Sequence, residues 1–125
     1  MNSIKKNEEE ITSIKARQLT PESFEEISDF FSLFADQTRL SMIALLSTNK
    51  LCVNDIAEVL GLSQSRVSHQ LQVLRKHDIV TYCREGKQIL YTLTDNHIKD
   101  LFKTGLEHVS EKSETLYEER KRKGW

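Results

Sequence analysis

From residue 53 to 77 the chain reads Val-Asn-Asp-Ile-Ala-Glu-Val-Leu-Gly-Leu-Ser-Gln-Ser-Arg-Val-Ser-His-Gln-Leu-Gln-Val-Leu-Arg-Lys-His, and few folds accept that order. The stretch from Val53 to Leu60 has helical spacing for barely two turns. It stops at Gly61, a residue free to take the left-handed conformation that ends helices. Ser63 then offers a side-chain oxygen to the unpaired N–H groups of a new helix, which the spacing carries through His77. Val67, Leu71 and Leu74 recur on one face of it and point inward, and small Ala57 lets the two helices cross closely. Two helices crossing at a glycine turn follow helix-turn-helix grammar, in which the second helix enters the DNA major groove. Its outward arc holds Gln64, Ser65, Ser68, His69, Gln72, Arg75 and Lys76. Glutamine pairs with adenine, serine bonds bases or phosphates, and arginine and lysine neutralise phosphate.

The flanking segments extend this pattern. After the second helix, Val80 and Tyr82 lead up to Arg84-Glu85-Gly86-Lys87, and Ile89, Tyr91 and Leu93 return in strand alternation. A hairpin directly after a recognition helix is a wing, and Arg84 and Lys87 flank its tip within reach of a phosphate or minor groove. Upstream, Thr20-Pro21 starts a helix with Phe24, Ile27, Phe31 and Phe34 on one side, a surface suited to a core or a dimer contact. Asp36 opens a second helix with Leu40, Ile43, Ala44 and Leu46 inward. Residues 1–19 are expected to form a polar arm, mobile or partly helical, 20–117 the winged helix-turn-helix domain, and 118–125 a charged, frayed tail.

The remaining segment carries different chemistry. Asp95 caps a helix in which Ile98, Leu101, Phe102, Gly105, Leu106 and Val109 form an apolar stripe that Leu116 prolongs. His97 and His108 lie about 20° apart around its axis, yet eleven residues separate them by roughly 16 Å, whereas a zinc–nitrogen bond is about 2.0–2.1 Å. One straight helix cannot bring both to one ion. Two antiparallel copies about a two-fold axis can, setting Asp95 and His97 of one against His108 and Glu111 of the other in two equivalent sites. Two nitrogens and two oxygens suit tetrahedral Zn(II), with Co(II) as its mimic, and suit thiophilic metals poorly. Spacing alone is equally compatible with a solvated helix flank.

Bulk charge, formally −1, carries no nucleic-acid signal, but its distribution does. Residues 63–93 hold five basic side chains against two acids, a net +3, while 1–30 are net −3. The longest aliphatic run, Met42 to Leu46, is far too short to span a bilayer, and Cys52 and Cys83 make no disulfide framework. A cytoplasmic protein with no membrane association is expected.

Leu51-Cys-Val-Asn-Asp-Ile-Ala57, Ser63-Gln-Ser-Arg-Val-Ser-His-Gln-Leu71, and Asp95-x-His97 followed by His108-x-x-Glu111 together make the chain similar to the ArsR/SmtB family of winged-helix metal-sensing repressors, over roughly residues 22–116. The last pattern resembles the interhelical site of the SmtB-like zinc sensors. The resemblance implies a mainly α fold with a β-hairpin wing, a homodimer paired through its first and last helices, and apo binding to double-stranded operator DNA. It further implies release by zinc held on Asp95, His97, His108 and Glu111, derepressing genes for zinc efflux or sequestration. By the same similarity base or groove contacts would fall to Gln64, Ser65, Ser68 and His69, beside the phosphate contacts read above for Arg75 and Lys76 and the phosphate or minor-groove contacts for Arg84 and Lys87. The family's other, cysteine-based site is degraded here: Cys52 and Asp55 match, but Asn54 replaces a cysteine and residues 1–51 contain no Cys or His. Four protein ligands close a zinc site to water, so neither an enzyme nor a small-molecule substrate is expected. A regulator answering to a thiol, redox or other metal signal is the alternative.

Overall fold

The computed structural model describes residues 5–111 and 114–124. By its internal contacts the chain divides after Ser32 into two units.

The first unit contains two helices. Helix α1 (Glu8–Ala16) lies within the polar arm, for which partly helical structure was one expectation. Asn7 Oδ1 accepts from the Glu10 N–H at 2.8 Å, three glutamates sit at the positive end of the helix dipole, and Lys6 pairs with Glu10 at 3.7 Å. Helix α2 (Pro21–Ser32) starts as expected from Thr20, whose hydroxyl accepts from the Ser23 N–H at 3.1 Å, with proline at the first helical position. Its apolar face is uncovered: Phe24, Ile27 and Phe31 are 49%, 42% and 50% exposed. A helix so apolar on one side gains little by itself and calls for a partner surface.

The second unit begins with α3 (Gln37–Thr48), α4 (Val53–Leu60) and α5 (Gln64–Lys76). An antiparallel hairpin of β1 (Val80–Glu85) and β2 (Gln88–Leu93) follows, then α6 (Asn96–Ser110) and α7 (Glu114–Arg122). Asp36 caps α3 through the Arg39 N–H at 2.9 Å. That bond, helped by the Arg39 and Arg66 charges, holds the Asp36 carboxyl below its ordinary value. Met42, Ile43 and Leu46 of α3 meet Ile56 and Ala57 of α4, Val67, Leu71 and Leu74 of α5, and Ile79, Val80 and Ile98 in a closed core. Met42 is fully buried although its position fell outside the expected inward set. Truncating a core leucine such as Leu71 to alanine costs about 2–5 kcal/mol.

Both ends of the turn between α4 and α5 are as the residues dictate. Gly61 lies at φ 67°, ψ 35°, and the Leu62 N–H reaches back to the Ala57 carbonyl at 2.9 Å. Ser63 caps α5 through the Arg66 N–H at 3.2 Å. The end of α5 repeats the same left-handed motif without a glycine: Asp78 takes φ 57°, while the Ile79 N–H bonds the Leu74 carbonyl at 2.9 Å. Ile79 and Leu74 are both fully buried, the apolar contact that accompanies this cap.

The hairpin pairs Val80 with Leu93, Tyr82 with Tyr91 and Arg84 with Ile89 around a turn at Gly86, φ 62°. Leu51 joins its far edge by a backbone bridge to Tyr91. The charged tail is a helix rather than frayed. In α7, Lys121 sits 4.7 Å from the Tyr117 ring centroid and Arg120 reaches Glu107 of α6 at 3.4 Å. Lys112, Ser113 and Trp125 lie outside the described residues.

Candidate nucleic-acid interface and metal-ligand face

Helix α5 owes its exposed side to the burial of Val67, Leu71 and Leu74 on the opposite one. Gln64, Ser65, His69, Gln72, Arg75 and Lys76 are exposed, and Ser68 is half-buried at the margin. Gln64 and Ser65 occupy the first turn, where groove-reading helices contact base edges. Ser65 is also 3.3 Å from the capping hydroxyl of Ser63. Arg66, on the same turn and exposed, is engaged within the chain: its Nη2 donates to the Thr38 hydroxyl at 3.1 Å, joining α5 to α3.

Arg84 and Lys87 flank the wing tip and are exposed. The acid between them is neutralised by Lys50, whose ammonium lies 2.7 Å from the Glu85 carboxylate and is held above its ordinary pKa mainly by that hydrogen bond. The wing therefore presents its two cations with its one acid already engaged. Arg75 does not simply extend into solvent: its guanidinium lies over the Tyr82 ring. Sequence reasoning missed this contact, and only the register of the hairpin brings Tyr82 to the end of α5.

The four proposed metal ligands occupy the two ends of α6. Asp95 Oδ1 caps the helix by accepting from the Ile98 N–H at 3.2 Å, and its Oδ2 stands 3.6 Å from His97 Nδ1. One carboxylate oxygen fixes the residue while the other faces the imidazole, and the His97 side chain is 94% exposed. His108, in the last turn, and Glu111, the C-cap residue, are exposed at the far end. Among the described residues of a single chain, no three of His, Cys, Asp and Glu come together to hold an ion.

The apolar stripe of α6 divides into two. Ile98 is buried and Phe102 and Leu106 half-buried against the protein's own helices, with Ser110 buried beside them. Leu101, Gly105 and Val109, at i, i+4 and i+8, form a second ridge that includes 51% exposed Val109 and exposed Gly105. His97 and His108 border this open ridge. Helix α7 packs on α6 through Glu107 and leaves that ridge and His108 exposed.

A short helix crossing a reading helix behind a glycine turn, followed by a hairpin wing, defines a winged helix-turn-helix DNA-binding regulator. Residues 36–82 match the model of the bacterial regulatory protein, arsR family. The chain is 34% identical over 103 residues to a transcriptional repressor SmtB homolog of Synechocystis sp., covering 82% of this chain and 78% of that one. It is 33% identical over 87 residues to a cadmium resistance transcriptional regulatory protein CadC homolog of Staphylococcus aureus, covering 69% and 72%. The crystal structure of the AntR antimony-specific transcriptional repressor superposes with TM-score 0.68 at 31% identity, over 82% of this chain and 94% of that one. The protein belongs to the ArsR/SmtB family of metal-responsive transcriptional repressors, which are DNA-binding proteins and not enzymes. Among the described residues no helix is long and apolar enough to cross a membrane.

Proposed function

We propose that this protein is a zinc-responsive repressor that binds operator DNA as an apo homodimer in the cytoplasm and lets go when zinc is held between subunits. The observation that carries the proposal is that Asp95 and His97 meet at one end of α6 while His108 and Glu111 stand exposed at the other. An antiparallel second copy of α6 supplies the missing half of each site. The ridge of half-buried Leu101, exposed Gly105 and exposed Val109, and the aromatic face of α2, are the apolar surfaces for that pairing.

The donor set fits zinc. Two imidazoles and two carboxylates satisfy a tetrahedral ion, which when bound supplies a cross-link between protomers with no position left for water. Relatives at similar identity are named for cadmium and antimony, metals that favour thiolates. Here the cysteines stand elsewhere, Cys52 at the start of α4 and Cys83 in β1. Neither is a ligand in this proposal.

Control of DNA follows from packing. Helix α6 lies against α3 and β2, and the hairpin lies against α5. The separation of two reading helices in a dimer therefore follows the angle at which their α6 helices meet, and a dimer reads only half-sites whose spacing matches it. A ligand shifts that equilibrium only by its differential affinity, typically 1–3 kcal/mol of coupling.

A gel shift on the DNA upstream of the protein's own gene, with and without metals, tests this reading. The complex should form without metal and dissociate with Zn(II) or Co(II) but not with Cd(II). Release by thiol alkylation with indifference to zinc would favour the thiol-switch alternative instead.

A further inference from the structure

The wing root makes a contact that the DNA-reading surface does not explain. The Arg75 guanidinium carbon lies 4.2 Å from the centroid of the Tyr82 ring, and its Nη2 donates to the Tyr82 hydroxyl at 3.3 Å. Tyr82 in turn faces Tyr91 across the hairpin, with ring centroids 5.8 Å apart. The Tyr91 N–H donates to the Leu51 carbonyl at 2.8 Å and the Leu51 N–H to the Tyr91 carbonyl at 3.1 Å. Leu51 enters α4, so these contacts run from the first helix of the motif, through both strands, to the last turn of the second.

An unheld arginine at the exposed end of a helix samples many rotamers and loses that freedom when it meets a phosphate. Arg75 has already lost part of it. The ring attracts the cation, and the hydroxyl accepts one of five N–H donors, leaving the others for a second acceptor. Tyr82 is itself 40% exposed, so the pair sits at the surface rather than in the core. A cation held in this way is useful only if something anionic approaches it, and on this face that is the DNA backbone.

We propose that Tyr82 is a positioning residue for DNA binding: it holds Arg75 for one phosphate contact and ties the wing to the end of the reading helix without touching DNA itself. The proposal rests on the assignment of α5 as the helix that meets DNA. It predicts that the effect of Tyr82 on affinity passes through Arg75.

The test compares the full-length parent with Arg75→Ala, Tyr82→Leu, Tyr82→Phe and the Arg75→Ala/Tyr82→Leu double variant by fluorescence anisotropy on operator DNA over a salt series. Losing one phosphate contact should lower the steepness of log K against log[salt] by about 0.9 per subunit. Arg75→Ala should show that loss, and Tyr82→Leu should show a several-fold drop in affinity with part of it. Tyr82→Phe, which keeps the ring and the hairpin packing, should recover most of the affinity. In the Arg75→Ala background Tyr82→Leu should change nothing further. Equal effects of Tyr82→Leu with and without Arg75 would overturn the proposal, as would a Tyr82→Leu protein that binds like the parent while Arg75→Ala does not. If Arg75→Ala also binds like the parent, the proposal fails, and a Gln64→Ala variant then decides separately whether α5 meets DNA at all.

Discussion

The open ridge of α6 makes a prediction with opposite signs for the protomer and the dimer. Gly105 is mid-helix, and a Cβ built there meets nothing within 4 Å in its own chain. Gly105→Leu therefore places its Cβ in open space and should stabilise the helix itself by somewhat less than the Gly-to-Ala propensity difference of about 0.8–1 kcal/mol. In an antiparallel pair whose ridges meet at Leu101, Gly105 and Val109, the same side chain intrudes at the crossing. Overpacking costs roughly 1–3 kcal/mol per site, and a two-fold dimer contains the site twice, about 2–6 kcal/mol in all. The dimer dissociation constant should rise at least ~30-fold, with zinc binding weakened alongside it, because each site draws on both chains. Analytical ultracentrifugation across a dilution series measures the first effect and competition with a chromophoric chelator the second. Far-ultraviolet circular dichroism should show no loss of helix. A variant that dimerises as tightly as the parent and still holds two zinc ions would refute the pairing of these ridges.

Three further outcomes are expected. Asp78→Gly should raise the unfolding free energy by up to about 1 kcal/mol, read as a higher urea midpoint, because φ 57° is unfavourable for a residue with a Cβ, whereas Asp78→Val should lower it. Gln64→Ala or Ser68→Ala should cost about 1–3 kcal/mol on the operator and little on random DNA, whereas Lys76→Ala should weaken both alike in the same competition assay. Because the Asp36 carboxyl titrates below its ordinary 3.8 when folded, the stability it contributes is present above that value and is lost as pH falls through the depressed one. The melting-temperature advantage of the parent over Asp36→Asn should accordingly be full at neutral pH and disappear in acid.

What was legible in the sequence was local. Gly61 and Ser63 announce a helix end and a helix start by their own backbone and side-chain chemistry, and the inward set Val67, Leu71 and Leu74 follows from period alone. The hairpin turn at Gly86 was legible for the same reason. Periodicity cannot say which partner covers which apolar residue, so α6 read as one stripe when Ile98, Phe102 and Leu106 serve the protomer while Gly105 and Val109 remain exposed and Leu101 is half-buried between the two sets. The end of α5 hid its left-handed residue because Asp78 is not a glycine. Helix α7 read as a frayed tail because its support, Arg120 on Glu107, is tertiary. The arm read only as mobile or partly helical, and the cap signal in Asn7 and the glutamates that follow it, which places α1, went unused. The Arg75 and Tyr82 contact required combining two correct readings, the hairpin register and the helix end, which neither segment states by itself.

The central claim, that zinc is held by one chain's Asp95 and His97 together with the other's His108 and Glu111, is tested most directly by mixing subunits. His97→Ala and His108→Ala chains are purified with different tags, unfolded and refolded together, and the heterodimer carrying both tags is isolated and titrated with zinc. Each homodimer has every site broken, whereas the heterodimer concentrates both losses in one site and leaves the other complete. One tightly bound zinc per heterodimer is expected, against two for the parent and none for either variant alone. A heterodimer that binds no zinc, or a homodimer variant that binds as the parent does, would contradict it.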